Sequence, residues 1–343
     1  MIQPPLRLRL DGEALVHNWG TLQRLSGAAD CGAAVKADGY GLGAVEVARR
    51  LAAAGCRQFY VATWAEAEAL RPLGLPLAVL HGVRAEDMAA ALGGWARPVL
   101  NTAAQVARWR DAGGAPCDVM VDTGMNRLGV SSEQVRGGLL DGLAIDTLMS
   151  HLACADEESP MNARQQQAFA ALRGAVRASR YSLANSAGIA LGPDYHFDLT
   201  RPGLALYGGV PRAELASALR QVAWPEAQVL QRRRVPAGES VGYNATWTAR
   251  ADTEVAILNI GYADGYFRGF SHRGWAWAGE ARLPVIGRVS MDLVAIDASA
   301  APDLGEGDWV AIDFALPDAA AASGHSQYEL LTSLGGRYAR RWS

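Results

Sequence analysis

The sequence predicts an α/β protein, a closed (β/α)8 TIM barrel followed by a mainly β C-terminal domain. From residue 31 to about 210, eight short apolar runs alternate with Ala-rich amphipathic segments, as parallel strands and their covering helices do. After about residue 220 the helical periodicity fades, and Val, Thr, Trp and Tyr alternate between turn signals such as PAGES and GEGDW. We expect domains at 11–217 and 218–343, with an N-terminal strand in residues 1–10 joining the second.

Eight apolar runs are predicted to be the barrel strands, because each is short and is bounded by turn or helix signals. They lie at 33–36, 59–63, 77–81, 98–101, 118–122, 145–151, 181–185 and 204–207. The clearest helical stretches lie at 12–25, 44–54, 65–70, 105–111 and 163–178, and the alanine run at 319–322 is interpreted as a loop. A doubly wound open sheet is the alternative, but no Gly-rich dinucleotide fingerprint follows the first strand.

Composition excludes several classes of function. Half of the residues are hydrophobic, a fifth are charged and the net charge is −3, and no basic stripe indicates a nucleic-acid partner. No apolar run approaches a membrane span, and the start, MIQPPLRLRLDG, has no apolar signal core. The four cysteines are far apart and fit no metal-ligand spacing. We therefore expect a cytoplasmic protein without metal.

Lys36 is the only lysine, and every other one of the 32 basic residues is an arginine. Arginine keeps its charge, whereas a partly desolvated lysine amine can lose its proton and act as a nucleophile or base. Chemistry that needs a neutral amine would explain one lysine at the end of the first predicted strand. The alternative is that this lysine lies on the solvated surface and is there by chance.

Other chemically capable side chains follow the strands of the predicted barrel, where barrel enzymes hold their active sites. Tyr40 follows the first strand, Arg127 the fifth, and His151 ends the sixth. Tyr40 and His151 could instead be core residues.

The loops after strands 7 and 8 carry NSAG and RPG, with Asn185, Ser186, Arg201 and Gly203. A hydroxyl and a glycine there fit the usual phosphate site of such barrels, although ordinary turns would use the same residues. A Schiff-base lysine and a phosphate pocket together indicate pyridoxal 5′-phosphate.

Nine motifs then resemble those of one family. AAVKADGYGLGA is similar to the cofactor-lysine motif of alanine racemases, the fold-type III pyridoxal-phosphate enzymes. The others follow in the family's order: VDTGMNRLG, HLACADE, ANSAG, RPGLALYGG, VGYNATW, IGYADGY, GRVSMD and YELLTSLG. The family's barrel and β domain agree with the fold predicted above.

The resemblance implies a two-base racemization of L- and D-alanine. Lys36 would carry the cofactor and act as the base on the D face, and Tyr243, from the partner subunit of a homodimer with shared active sites, as the base on the L face. His151 and Arg201 would be neighbours of that tyrosine, and Arg201 would also contact the pyridine nitrogen. An arginine there leaves the ring a weaker electron sink, which would limit side reactions.

Further roles come only from the resemblance. Arg127 and Met291 would bind the substrate carboxylate, and Tyr262 and Asp292 would line the entrance. The cofactor-binding set is Lys36, Tyr40, Asn185, Ser186, Arg201, Gly203, Leu204 and Trp342. Tyr243 and Tyr262 could instead be sheet residues, Met291 simple packing and Asp292 a cap or turn residue.

The chain departs from the family pattern at three positions. Met120 stands where many members have a carbamylated lysine that orients the arginine at Arg127, so another group must hold Arg127; Asn126 is nearby. Leu42 replaces a usual histidine. Trp342 stands where the family tail ends in tyrosine, and indole donates but does not accept a hydrogen bond. We expect altered phosphate anchoring or substrate preference.

Four alternatives stay open. One is a pyridoxal-phosphate carrier built on the barrel alone, against which the β domain with VGYNATW argues. A fold-type III decarboxylase would pair the pyridine nitrogen with an acid rather than Arg201. A Schiff-base aldolase would need no cofactor, and a racemase could act on serine or a broader set of amino acids. A role in supplying D-alanine as a peptidoglycan precursor or in D-amino-acid catabolism is not decided.

Overall fold

The computed structural model describes residues 4–343. The chain forms two compact units, which we call the barrel unit, Leu15–Arg220, and the β unit, residues up to Ala14 together with Gln221–Ser343. In the described part of the chain, we find no helix with the length and apolar character needed to cross a bilayer.

Seven strands of the barrel unit pair side by side in parallel, in chain order. They are Ala33–Ala34, Phe59–Val61, Leu77–Val79, Arg97–Leu100, Cys117–Asp122, Ile145–Met149 and Ala178–Ser182. Asp30–Cys31 precedes the first of them and pairs with Leu199–Thr200, and Val130–Ser131 pairs beside the fifth. Each of the first seven strands overlaps a predicted strand, because short apolar segments between turn signals are typical of the buried strands of a parallel sheet. The short strands Asp30–Cys31 and Val130–Ser131 were not predicted.

The eighth strand, Leu199–Thr200, closes the barrel. On one side Asp198 and Arg201 donate backbone hydrogen bonds to Tyr181 and Ala184, both at 2.9 Å. On the other side Gly32 donates to Thr200 at 2.9 Å. The strand therefore bridges the seventh strand and the first, which confirms the predicted closed barrel.

The predicted position of that strand, 204–207, is wrong. Leu204–Tyr207 is a 3-10 helix whose four residues are all buried. An apolar run of four residues does not distinguish a buried strand from a buried helical turn, and this is the ambiguity that misled the prediction.

Helices connect the strands of the barrel unit. They are Gly12–Leu25, Ala44–Ala54, Trp64–Leu70, Met88–Ala91, Ala103–Asp111, Ser132–Arg136, Pro160–Ala170 and Ser186–Ala190, with 3-10 turns at Arg71–Leu73, Pro193–Tyr195 and Ala213–Leu215. The helices predicted at 12–25, 44–54, 65–70 and 105–111 are confirmed to within two residues. The helix predicted to reach residue 178 ends at Ala170, since Gly174 has a φ of +92° and Ala178 already begins the seventh strand.

The β unit is built on one antiparallel-rich sheet of eight strands. These are Leu6–Leu10, Ala223–Val235, Thr253–Leu258, Trp275–Ala278, Ala281–Ile286, Val294–Asp297, Trp309–Ile312 and Ala339–Trp342. Leu6–Leu10 pairs antiparallel with Ala223–Val235 and parallel with Ala339–Trp342. The predicted mainly β C-terminal domain is therefore confirmed.

Smaller elements complete the β unit. They are the hairpin Ser240–Val241 with Trp247–Thr248, the 3-10 turns Tyr243–Ala245, Tyr262–Asp264 and Arg268–Phe270, and the helices Leu316–Ser323 and Gln327–Thr332. The alanine run at 319–322, predicted as a loop, lies in a helix. Alanine has the highest helix propensity, a proline occupies the first turn, and Gly324 ends the helix with a φ of +76°.

Candidate active site

Lys36 stands at the end of the first barrel strand, where the chain enters a left-handed turn. Ala37, Asp38, Gly39 and Tyr40 have φ angles of +52°, +53°, +62° and +55°. This conformation costs roughly 1–2 kcal/mol for each residue that has a Cβ. Such strain is typical of functional sites and persists only where surrounding contacts enforce it.

Several contacts enforce this turn. Gly39 donates to the carbonyl of Val35 at 2.9 Å, and the Asp38 carboxylate accepts from the amide of Ala44 at 2.9 Å. A Cβ on Gly39 would lie 3.1 Å from the backbone of Ala44, so a side chain there would press against that backbone. The turn therefore presents Lys36 from a rigid backbone.

Lys36 is half-buried, and its charged neighbours are Arg127 and Glu66. Burial and, second, the charge of Arg127 lower the pKa of Lys36, while the Glu66 carboxylate acts in the opposite direction. A lowered pKa increases the fraction of neutral amine, the form that can act as a nucleophile or base.

His151, after the sixth strand, belongs to the same group of side chains. Burial and then the charges of Arg201, Arg127 and Lys36 lower the pKa of His151 to about 3. The imidazole is therefore neutral at pH 7 and can take part in hydrogen bonds but cannot supply a positive charge.

Arg201 is only 7% exposed and is held by neutral oxygens. Its guanidinium donates to the Ser182 hydroxyl and to the carbonyl of Ser150, and it lies 6.0 Å above the ring of Tyr60. Burial lowers its pKa, but an arginine starts from so high a value that it stays protonated. Arg201 is thus a fixed, permanently charged donor.

The loops after strands 7 and 8 are joined by the hydroxyl of Ser186. This oxygen accepts from the amides of Gly203 at 2.9 Å and Ala205 at 3.2 Å, so its hydrogen remains available for another acceptor. Asn185 caps the short helix Ser186–Ala190 by accepting from Gly188 at 2.8 Å. Leu204 begins the 3-10 helix that follows Gly203.

Gly203 lies so close to the hydroxyl of Tyr40 that no side chain would fit between them. A Cβ on Gly203 would lie 2.2 Å from Tyr40 Oη. The ring of Tyr40 stacks on Tyr207 with centroids 4.6 Å apart, and the Tyr207 hydroxyl donates to the carbonyl of Ala34 at 2.8 Å. The structure therefore brings Tyr40, Ser186, Gly203 and Leu204 together, as predicted for a phosphate site.

In the β unit, the segments that carry the motifs IGYADGY and GRVSMD are hydrogen-bonded to each other. Tyr262 and Ala263 donate to the carbonyls of Ser290 and Met291, both at 3.0 Å. A Cβ on Gly261 would lie 2.3 Å from the Met291 carbonyl oxygen, so glycine is required at this close approach. The motifs IGYADGY and GRVSMD thus place Tyr262 beside Met291 and Asp292.

Tyr243 lies in a tight turn of the same unit. Gly242 and Asn244 on either side have φ angles of +81° and +62°, and a Cβ on Gly242 would lie 3.5 Å from the amide of Arg288 in the GRVSMD motif. Tyr243 is 67% exposed and Met291 53% exposed, which is unusual for large apolar or aromatic residues. These predicted site residues all belong to the β unit, whereas Lys36, His151 and Arg201 belong to the barrel unit.

Comparisons with known proteins cover both units of the chain. Family models for the alanine racemase N-terminal and C-terminal domains match residues 10–211 and 222–342. The alanine racemase of Acidiphilium cryptum (strain JF-5) is 43% identical over 351 residues, covering 97% of each chain. This chain belongs to the alanine racemase family.

Solved members of the alanine racemase family have the same fold. An alanine racemase from Bartonella henselae with covalently bound pyridoxal phosphate is 33% identical, with a TM-score of 0.91 over the whole of both chains. The biosynthetic alanine racemase of Pseudomonas aeruginosa is 34% identical with a TM-score of 0.90. A catabolic alanine racemase of Agrobacterium fabrum (strain C58 / ATCC 33970) is 42% identical, covering 98% of this chain and 91% of that protein. The chain is thus an isomerase of the alanine racemase family.

The structure also accounts for two departures from the alanine racemase pattern. Met120 is buried in the fifth strand, and Leu42 is fully buried, so both pack in the core. The exposed Arg127 is held through its backbone, because the Asp122 carboxylate accepts from the amides of Gly124 at 2.7 Å and Arg127 at 3.0 Å. Sequence analysis missed Asp122, although an aspartate at the start of a Gly-containing turn is a known signal.

A second residue that sequence analysis missed is Arg337, in the tail of the alanine racemase C-terminal domain. Its guanidinium bridges the fully buried Asp264 and the exposed Asp292. The third departure, Trp342, lies half-buried in the strand Ala339–Trp342, opposite Leu10.

Proposed function

We propose that this chain is a pyridoxal-phosphate-dependent racemase that interconverts L-alanine and D-alanine. The observation that carries the proposal is the single lysine, presented by a strained turn at the end of the first strand with a lowered pKa. Its relatives are named alanine racemases, and the one from Bartonella henselae contains covalently bound pyridoxal phosphate.

The residues of the barrel unit suit this cofactor. The missing side chain of Gly203 lets the Tyr40 hydroxyl lie against the backbone there, and Ser186 keeps a hydroxyl hydrogen that a phosphate oxygen can accept. Lys36, Tyr40, Ser186, Gly203 and Leu204 would hold the cofactor, with Asn185 shaping their loop. When bound, pyridoxal phosphate withdraws electrons from the Cα–H bond of an amino acid.

Arg201 would hold the ring nitrogen of the cofactor by donating a hydrogen bond. Its guanidinium is already oriented by Ser182 and Ser150, and neither partner could accept its proton. A permanently protonated donor keeps the ring nitrogen unprotonated. We infer that this favours proton return to Cα over side reactions.

Racemization needs two bases, because one base on one face returns the proton to the side it left. Lys36 Nζ would exchange the Cα proton on the D face, and Tyr243 Oη of the partner subunit would do so on the L face. His151 would support that tyrosine as a neutral hydrogen-bond partner, since its pKa of about 3 leaves the positive charge to Arg201. The exposure of Tyr243 in the single chain supports a role that a second subunit completes.

The substrate would be recognised by its carboxylate. Arg127 and the backbone of Met291 would bind it, while Tyr262 and Asp292 would line the entrance. We further propose domain boundaries at 11–217 and 218–343, with the N-terminal strand joining the β domain, and a cytoplasmic homodimer.

A complementation experiment tests the reaction and the shared site together. Purified protein should convert L-alanine to D-alanine, and Lys36→Ala and Tyr243→Phe homodimers should each lose about 10²-fold or more of kcat. Refolded mixtures of the two variants should regain about a quarter of wild-type activity, since mixed dimers carry one intact site. Absence of racemization by wild type would contradict the function, and absence of complementation would contradict the shared site.

Trp342 bears on substrate breadth. Indole is larger than phenol and has no acceptor, so we propose that the C-terminal strand alters phosphate anchoring or the pocket. Trp342→Tyr should change the cofactor dissociation constant or the ratio of kcat/KM for alanine and serine. If neither changes, Trp342 has no part in the site.

A further inference from the structure

Glu66 caps the N-terminus of the helix Trp64–Leu70. In the capping box of the helix Trp64–Leu70, the Glu66 amide donates to the Thr63 hydroxyl at 3.2 Å and its carboxylate accepts from the Thr63 amide at 3.4 Å. A capping box of this kind needs no further partners.

The carboxylate of Glu66 has two additional partners. It accepts from the amide of Ala62, at the end of the second strand, at 2.6 Å, and from the amide of Ala37 at 2.9 Å. Ala37 directly follows Lys36 and is the first left-handed residue of the turn. One half-buried carboxylate therefore joins the ends of the first two barrel strands.

We propose that Glu66 is the positioning residue for Lys36, because its carboxylate ties the left-handed turn to the second strand and thereby holds the amine in place. The role of the amine rests on the proposed function above. The tie itself depends only on the backbone contacts of Ala37 and Ala62.

The charge of Glu66 gives this tie an electrostatic consequence. The charged and titratable groups that face Lys36 are Glu66, Arg127 after the fifth strand and His151 after the sixth. Arg127 and burial favour the neutral amine, His151 is uncharged, and Glu66 favours the ammonium. Removing this carboxylate should therefore lower the pKa of Lys36, whereas merely loosening the turn would hydrate the amine and raise it.

The chain offers a matched control in Glu329. Its capping box with Ser326 has the same pattern: its amide donates to the Ser326 hydroxyl at 3.2 Å, and its carboxylate accepts from Ser326 at 2.8 Å. Each of these contacts is with Ser326, so Glu329→Ala removes a capping box without removing a tie to another strand.

Because Lys36 is the only lysine, its reactivity can be measured in the full-length protein freed of cofactor. The pH dependence of acetylation by acetic anhydride, followed by peptide mass spectrometry, reports Lys36 separately from the α-amine. Amide hydrogen exchange of a peptide containing residues 36–41 reports the turn. Neither measurement needs pyridoxal phosphate or activity, so a failed racemase assay would leave this test intact.

We expect Glu66→Gln to move the midpoint of Lys36 acetylation down by about 0.5–1 pH unit. Glu66→Ala should speed exchange of the Ala37 amide, within residues 36–41, about 10-fold, since that amide loses its acceptor. Glu329→Ala should change neither. The proposal is overturned if the acetylation midpoint of Glu66→Gln equals that of wild type and amide exchange of residues 36–41 in Glu66→Ala equals that of wild type. Glu66→Gln keeps the side-chain volume, so it serves if Glu66→Ala fails to fold.

Discussion

The guanidinium of Arg337 binds both carboxylate oxygens of Asp264, from Nε at 2.6 Å and from Nη2 at 2.7 Å. A third hydrogen bond runs from Nη1 to Asp292 at 2.7 Å. Asp264 is fully buried and also accepts from the amide of Gly261 at 3.0 Å, while Asp292 directly follows Met291. One arginine therefore joins the turn that carries Tyr262 to the loop predicted to bind substrate.

Replacement of Arg337 should weaken substrate binding more than catalysis. Arg337→Lys cannot bridge two carboxylates in this fork geometry, so we expect KM for alanine to rise about 10-fold with little change in kcat. Arg337→Ala should also lower the free energy of unfolding by about 1–3 kcal/mol, since Asp264 stays buried without its cation. Arg282, which pairs with Asp313 at 3.0 Å on the surface, is the control. An equal effect of Arg282→Ala on KM would contradict the bridging role.

A methyl group at Gly203 should weaken cofactor binding. Gly203→Ala places its Cβ against Tyr40 Oη, so the tyrosine must leave its stack on Tyr207. We expect the pyridoxal-phosphate dissociation constant, measured by visible absorbance, to rise about 5- to 150-fold, which corresponds to overpacking of about 1–3 kcal/mol. Gly20→Ala, in a helix with its nearest neighbouring atom at 3.8 Å, should bind cofactor normally and be slightly more stable. Normal binding by Gly203→Ala would exclude Gly203 and Tyr40 from the phosphate site.

Replacement of Asp122 should make the loop that carries Arg127 more flexible. Asp122→Ala removes the acceptor for the amides of Gly124 and Arg127, and the loop then has more conformations to lose on binding substrate. We expect KM for alanine to rise several-fold, about 1 kcal/mol in binding. Asp87→Ala is the control, because Asp87 likewise accepts from a loop amide, that of Arg84 at 3.1 Å. If Asp122→Ala and wild type share one KM, Arg127 is held by other means.

The neutral His151 should leave a signature in the pH dependence of stability. In the unfolded chain a histidine binds a proton near pH 6.5, whereas in the native state the pKa is about 3. The unfolded state therefore binds more protons between these values, and this group destabilises the fold as pH falls, by about 1.4 kcal/mol per unit at most. Buried Asp118, whose pKa is raised to about 6, has the opposite effect between about pH 4 and 6.

Comparison of His151→Asn with wild type separates the contribution of the histidine to the pH dependence of stability from that of Asp118, which both proteins share. The variant should gain stability relative to wild type as pH falls from 6.5 to 4, measured by urea unfolding. The same measurement on His81→Asn, at an exposed position, is the control for the loss of a histidine. A constant difference for His151→Asn would show that the imidazole is protonated in the native state.

Much of the barrel followed from local patterns. Helix 44–54 was predicted to the residue, because its apolar face repeats at the helical period and Gly55 ends it with a φ of +116°. The eighth strand was misplaced because Leu204–Tyr207 is apolar throughout and carries no period. Glu66 was missed, although Thr63 and Glu66 have capping-box spacing, since its bond to Ala37 joins residues 29 apart.

By itself the sequence determined the alternation of strands and helices, the change to a β domain, the solitary Lys36 and the ordered motifs. These depend on composition and on periods of a few residues, which neighbouring positions alone can establish. Only the tertiary structure decided where the barrel closes, that His151 is uncharged, and that Arg337 joins Asp264 to Asp292. Hydrogen-bond pairing and desolvation arise between residues far apart in the chain, so they are decided only once the chain has folded.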